Sequence, residues 1–383
     1  MEAQNISASI ETHFGSITDP RIERNKLHLL SDILTIAICA SICGADKWED
    51  VEDFGKAKEN WFRTFLALPN GIPSHDTFNR VFNRMDPKEF QESFLSWINA
   101  ASKLIGGQVI AIDGKVLRRS HDRGVGKSAI DMVSAWATEN HLVLGQVKVD
   151  EKSNEITAIP QLLKALEITG CIITIDAMGC QKSIAAEIVE QGAEYILALK
   201  DNQGNLFEDV KLLFDDLEGS EYKAYPFDYH ITVNKGHGRI EIRECWTISA
   251  TETLSHLRGY ADWTKLTTVS RIRAQRWIRE EKSCEDRYHI ASVSGARKVL
   301  TAVRSHWGIE NELHWTLDMT FDEDRSRVRK DYGAENLAVL RHIALNLLKQ
   351  EKSSKRSVRG KRLLAGWDED YLSKVLQGLD TLN

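Results

Sequence analysis

Two aspartates close short apolar runs in this sequence, Asp113 in VIAIDGK and Asp176 in CIITIDAMG. A carboxylate at the end of a buried strand is costly unless it is solvated, paired or bound to a cation. Either one alone reads as the start of a turn, because Asp-Gly commonly begins one. As a pair on neighbouring strands they read differently. Adjoining carboxylates repel each other, and a divalent cation relieves the repulsion. A third acid is expected from a helix packed across the strands, and Glu310 in SHWGIENELHW is the choice. At a spacing of three to four residues His306, Trp307, His314 and Leu317 share its helical face. Glu312, Asp318, Glu323 and Asp324 compete for the role on sequence alone.

Three carboxylates suit hard cations, which prefer oxygen ligands. Asp113, Asp176 and Glu310 are therefore expected to bind two Mg²⁺ or Mn²⁺ ions, typically ~3.5–4 Å apart, and to be the catalytic set. Such a pair of ions serves in-line displacement at phosphorus, one at the attacking oxygen and one at the leaving oxygen. No GxxxxGK[ST] phosphate loop is present, and Ser120-His121 lacks a third partner for a nucleophilic triad. A nucleic-acid substrate would need cations nearby. Lys115, Arg118, Arg119, Arg123 and Lys127 follow the first aspartate, and Lys200 ends YILALK. Arg239, Arg304 and Arg325, with Arg327 and Arg329, are further candidates, and His306 could touch phosphate or simply pack. Trp246, Trp263 and Trp277 could stack on an opened base, although burial is the commoner fate of tryptophan.

The elements that must position these residues can be placed from pattern. Residues 25–105 read as helices: LSDILTIAICASICG repeats apolar positions at helical spacing and stops at Gly44. Ser74 or Asp76 can cap the next helix, and Asp86-Pro87 opens another. Residues 1–104 are expected to form a small helical N-terminal domain, with DNA binding as one possible use. From Gly106 the texture changes to strands at 109–113, 131–138 and 142–149, then a helix at 158–169, a strand at 171–176, a helix at 181–192 and a strand at 194–200. This β-β-β-α-β-α-β order is that of an RNase H-like α/β sheet, in which the first and fourth strands adjoin. Residues 201–295 read as a β-rich insertion, with a hairpin around the Gly-rich turn of NKGHGR. Residues 296–350 return to helix and complete the catalytic unit begun at 105–200. The basic stretch 351–383, short on large apolar residues, reads as a surface tail.

A chain of 383 residues exceeds what one core usually holds. The 42% apolar and 28% charged shares exclude disordered and fibrous classes. The longest apolar run, Ile33 to Cys43, is far below the ~20 residues that cross a bilayer, so no membrane partner is expected. Six scattered cysteines without CxxC pairs fit a reducing cytoplasm. A net charge of −6 does not exclude nucleic acid, because the basic residues are clustered: Arg271, Arg273, Arg276 and Arg279 form a second group, and Lys355, Arg356, Arg359, Lys361 and Arg362 a third.

The stretches AIDGKVLRRS, DEKSNEITAIPQLL, TIDAMGCQ, YILALKDNQG, KGHGRIEIR and RSHWGIENELHW together resemble the H-repeat-associated insertion-sequence transposases of the DDE class. LSDILTIAICASICGADKWEDVEDFG resembles their N-terminal helical region. The resemblance implies an RNase H-like domain, divalent metal, and cleavage and joining of DNA at insertion-sequence ends, with Asp113, Asp176 and Glu310 as the three acids. It implies DNA as partner, both element ends and target, a homodimer on that DNA and a nucleoid-associated cytoplasmic location. Where many wider relatives carry tyrosine, arginine and lysine around the last acid, this chain has Val303, His306 and Leu317, with Arg304 or His306 as substitutes. A DNA-binding relative that does not cut, or a nuclease that cuts without joining, stands as the alternative.

Overall fold

The apolar runs between residues 109 and 199 become five strands in the computed structural model of the chain, which describes residues 2–101, 106–121, 128–150, 153–236, 238–278 and 281–379. They are β1 (Val109–Leu117), β2 (Ile130–Ala137), β3 (Leu142–Lys148), β4 (Ile172–Ile175) and β5 (Glu194–Leu199). Side by side they run β3-β2-β1-β4-β5. The first three pair antiparallel, whereas β1, β4 and β5 are parallel. The parallel connections are the helices Glu155–Ala165 and Lys182–Glu190. All four residues of β4 are buried, as a parallel strand covered on both faces requires.

The sheet does not stop at β5. Four long strands follow, β6 (Asp228–Gly236), β7 (Arg239–Ile248), β8 (Thr268–Ile278) and β9 (Glu281–Ala291). β9 pairs antiparallel with β5, placing Leu197 opposite Ile290, so the β-rich stretch extends one nine-stranded mixed sheet. Residues 268–272 and 288–291 are buried near β5, and the far ends of β8 and β9 project into solvent. The Gly204–Gly219 helix, to which the sequence reading assigned no element, covers this part of the sheet. Its Leu206, Val210, Leu213, Phe214 and Leu217 recur at helical spacing and are buried.

The N-terminal hundred residues are helical as expected. Leu30–Cys43 ends at Gly44, whose φ of 105° is left-handed, and Ala45 N donates to Ala40 O across the turn. Ser74 precedes the His75–Arg84 helix, but its hydroxyl faces Thr77 Oγ1 at 3.2 Å and caps no backbone amide. The Leu30–Cys43 helix is buried on nearly every side because it packs between the Gly333–Gln350 and Val358–Trp367 helices. Its core is continuous with that of the sheet. Asn346 of Gly333–Gln350 in turn bonds both the N–H and the C=O of Val143, blunting the outer edge of β3.

The C-terminal residues correct the surface-tail expectation. Val358–Trp367 and Glu369–Leu376 are helices, and Leu372, Val375, Leu376 and Leu379 are buried. The basic residues that suggested a tail are partly consumed inside. Arg362 donates to Ser41 O at 3.0 Å and also to Thr320 O, while Lys361 donates to Leu348 O at 2.9 Å. Each acceptor lies in the last turn of a helix, where carbonyls lack intrahelical donors. These buried cations are stable there because between them they complete three helix ends. Among the described residues no helix is long and apolar enough to cross a membrane. Leu372→Ala is expected to cost about 2–5 kcal/mol of unfolding free energy in urea melts; a loss near zero would return this segment to the surface.

Candidate active site

The parallel pairing of β1 with β4 sets the first two acids. Ile112 and Ile175 are the last register partners, so Asp113 and Asp176, each the next residue, stand at the same level just past the β1–β4 pairing. Asp176 lies beyond the last residue of β4, and its Oδ1 accepts from Met178 N at 3.0 Å and Gly179 N at 3.3 Å. Asp113 is still within β1, its side chain 19% exposed.

A helix crosses these strands and brings the third acid. Within Ala296–Gly308, His306 Nδ1 meets Thr174 Oγ1 of β4 at 3.0 Å. Two turns on, His314 Nδ1 lies 3.5 Å from Asp113 Oδ2. Between these contacts the helix widens to π geometry over Ile309–His314, a distortion that recurs at functional sites. Gly308 allows the close approach, since a Cβ there would stand 3.3 Å from Nε1 of the buried Trp136 of β2. Glu310 follows on the exposed side of the widened turn.

The structure separates Glu310 from its four rivals by their partners. Glu312 meets His141 at 2.5 Å and Lys349 at 3.4 Å, and Asp318 meets Lys115 at 2.6 Å. Glu323 meets Lys115 at 2.7 Å and Arg341 at 3.5 Å, and Asp324 meets Arg118 at 3.4 Å. Glu310 has no ion pair with any described residue, nor has Asp176. His314 cannot neutralise Asp113 either, because burial and then the Lys115 charge push its imidazole down to about 3. Burial, and after it the charges of Asp176, Glu310 and Glu155, push the Asp113 carboxyl up to about 7.

Glu155 is a fourth acid that the sequence reading passed over. It opens the Glu155–Ala165 helix, and its carboxylate fills the space over Gly114 that any side chain would occupy. Burial and the charges of Asp176 and Asp131 raise its own carboxyl. The signal was available in the glycine directly after Asp113, within AIDGK. The oxygen donors and their uncompensated charge fit a hard divalent cation. As the side chains stand, no three His, Cys, Asp or Glu among the described residues converge on a single ion position.

The expected cation track is only partly on the surface. Arg118 and Arg119 are exposed in the turn after β1, Lys200 is exposed past β5, and Arg304 and Arg325 are exposed on the helical side. Arg239 is exposed at the start of β7 but pairs with Glu241 at 3.1 Å. Lys115 corrects its expectation: its side chain is buried between Asp318 and Glu323, turned away from solvent. His306 likewise turns inward onto Thr174. Trp246 and Trp263 are buried, Trp246 beneath the Arg271 guanidinium, which leaves Trp277 the more accessible of the three. Arg123, Lys127 and Arg279 lie outside the described residues.

Comparison with known proteins gives the family. The Transposase DDE domain family model matches residues 105–347, and the DDE_Tnp_1-associated model matches residues 11–98. The chain belongs to the Transposase DDE domain family. It is 41% identical over 374 residues to the Escherichia coli (strain K12) protein named "H repeat-associated putative transposase YhhI", covering 96% of this chain and 97% of that one. It is 40% identical over 378 residues to "Putative transposase YncI" of Escherichia coli O157:H7, covering 98% and 96%. A solved piggyBac transposase synaptic complex with hairpin DNA overlays at a TM-score of 0.42 and 10% identity, over 98% of this chain and 77% of that one, and adds no weight at that distance.

The raised Asp113 carboxyl has a consequence for the metal-free protein. Between pH ~4 and ~7 the native state keeps a proton that the unfolded chain has released, so stability falls as pH rises through that window. Asp113→Asn removes the loss. In EDTA the variant should be more stable than the parent near pH ~8, by up to about 4 kcal/mol, and the two should agree below pH ~4. Thermal melts at both pH values check this; a difference that does not depend on pH contradicts it.

Proposed function

We propose that this protein is a DNA transposase that uses divalent metal, with Asp113, Asp176 and Glu310 as its catalytic acids on an RNase H-like half-sheet, β1 to β5. One observation carries the reading. Among the described residues Asp176 and Glu310 have no ion pair and Asp113 meets only a neutral imidazole, close to where β1 and β4 adjoin, while each of the four competing acids has a cationic partner. A protein gains nothing in stability from such an arrangement, so a bound cation is the natural account of it. Membership of the Transposase DDE domain family supports the same reading.

Asp113, Asp176 and Glu310 would hold two Mg²⁺ or Mn²⁺ ions, which supply charge stabilisation at the attacking and leaving oxygens of a phosphodiester. The rest falls to the chain. The Met178 and Gly179 amides orient Asp176, and neutral His314 packs beside Asp113 without cancelling its charge. Arg118, Arg119, Lys200, Arg304 and Arg325, with Arg239 farther along the hairpin, would draw the DNA backbone to the sheet end. The reaction is hydrolysis at an element end, leaving a 3′-hydroxyl, followed by attack of that hydroxyl on a target phosphodiester. Joining two ends calls for a homodimer on DNA and a nucleoid location in the cytoplasm, with the helical residues 1–104 assisting DNA binding.

Labelled element ends incubated with the purified protein should be nicked in Mg²⁺ and left intact in EDTA. Asp113→Ala, Asp176→Ala and Glu310→Ala should each abolish nicking while the DNA is still retained in a mobility shift. An active Asp176→Ala variant sinks the assignment. Nicking without strand transfer into a plasmid would identify a nuclease, and DNA retention without nicking a binding protein.

A further inference from the structure

A largely buried charge cluster lies on the strand of Asp113 and takes no part in the chemistry above. Lys115 stands two residues past Asp113 on β1, hence on the same face of the sheet. Its side chain is 11% exposed, and Nζ donates to Asp318 Oδ1 at 2.6 Å and to Glu323 Oε2 at 2.7 Å. The carbonyl of His314 lies 3.5 Å from the same nitrogen. Glu323, 3% exposed, is shared with Arg341 of the Gly333–Gln350 helix at 3.5 Å. One cluster therefore joins the strand of Asp113, the helix turns just after Glu310 and the long C-terminal helix.

A buried ion cluster of this kind is seldom the most stable filling for its space, since apolar side chains of similar volume often do better. Its placement suggests what it does. Asp318 and Glu323 follow Glu310 closely in the chain, and unpaired they would add negative charge to an acidic site and offer rival oxygen ligands. Lys115 occupies both.

We propose that Lys115 is a positioning residue: it ties the strand of Asp113 to the helix of Glu310, and it withholds Asp318 and Glu323 from the metal. This rests on the reading of the three acids as metal ligands. It also replaces the expectation that Lys115 grips DNA, and the two roles differ in what they make measurable.

Full-length Lys115→Met, Lys115→Arg and the neutral quadruple variant K115M/D318N/E323M/R341M should be compared with the parent. Three quantities are read: nicking of labelled ends in Mg²⁺, DNA affinity as a function of salt, and direct Mn²⁺ binding by electron paramagnetic resonance. Lys115→Met should lose about 10- to 100-fold in nicking and bind Mn²⁺ at altered affinity or stoichiometry. Its DNA affinity and salt slope should stay as in the parent. Lys115→Arg should recover part of the nicking. The quadruple variant leaves no unpaired buried charge; folded by its thermal melt, it should still nick poorly, because the tie is gone. Parent-like nicking in that folded variant would make the cluster purely structural and overturn the proposal. A salt slope reduced by about 0.9 in Lys115→Met would mean a lost phosphate contact and overturn it equally. If the parent itself does not nick DNA, the transposase reading fails, and the Mn²⁺ comparison alone decides the role of Lys115: unchanged binding in Lys115→Met rejects it.

Discussion

The structure is organised around negative charge that is left uncancelled at the meeting point of β1 and β4. Parallel pairing in register brings Asp113 and Asp176 to the same level, and the crossing helix adds Glu310. Several other buried charges are matched. Arg271 lies over Trp246 and against Glu218, Glu323 is held between Lys115 and Arg341, and Lys361 and Arg362 close helix ends. Burial works against Glu323, yet those two cations hold its carboxyl down to about 2. Asp113 moves the other way, up to about 7, because burial disfavours its charge, its charged neighbours Asp176, Glu310 and Glu155 are acids, and the imidazole beside it is neutral. Two carboxyls on neighbouring elements are thus driven in opposite directions by what surrounds them.

The scaffold holds this tension by tying distant segments together. β9 adds to β5 so that four further strands extend one sheet, and the Gly204–Gly219 helix buries their near ends. On the other side, the Leu30–Cys43 helix is enclosed by helices from the far end of the chain. The N-terminal helices, the sheet and the C-terminal helices therefore share a continuous core. Loss of the last thirty residues would uncover helix-end carbonyls as well as apolar surface.

Much of this was legible locally. Period-two alternation and apolar runs marked the strands from 109 to 199 to within a few residues, except that β1 continues to Leu117 past its aspartate. Gly44 marked a helix end because only a residue without Cβ adopts its backbone cheaply. Other features left no local trace. Residues 351–383 looked like a tail because their basic residues suggested solvent, and only the carbonyls of Ser41, Thr320 and Leu348 show why two of them are buried. Lys115 looked like a phosphate contact for the same reason. Glu155 was one acid among many until Gly114 proved to make room for it.

The sequence by itself determined the strand and helix order, the pair of aspartates that close apolar runs and a short roster of acids that could join them. Those features depend on hydrophobic period and on backbone preferences, which act over a few residues. Tertiary structure alone decided which acids remain unneutralised, which cations face solvent and which are buried, and that the β-rich stretch continues the same sheet. Those outcomes depend on charges and packing surfaces far apart in the chain. Coulomb energy and desolvation are set by distance in space, and separation along the chain carries almost no information about either.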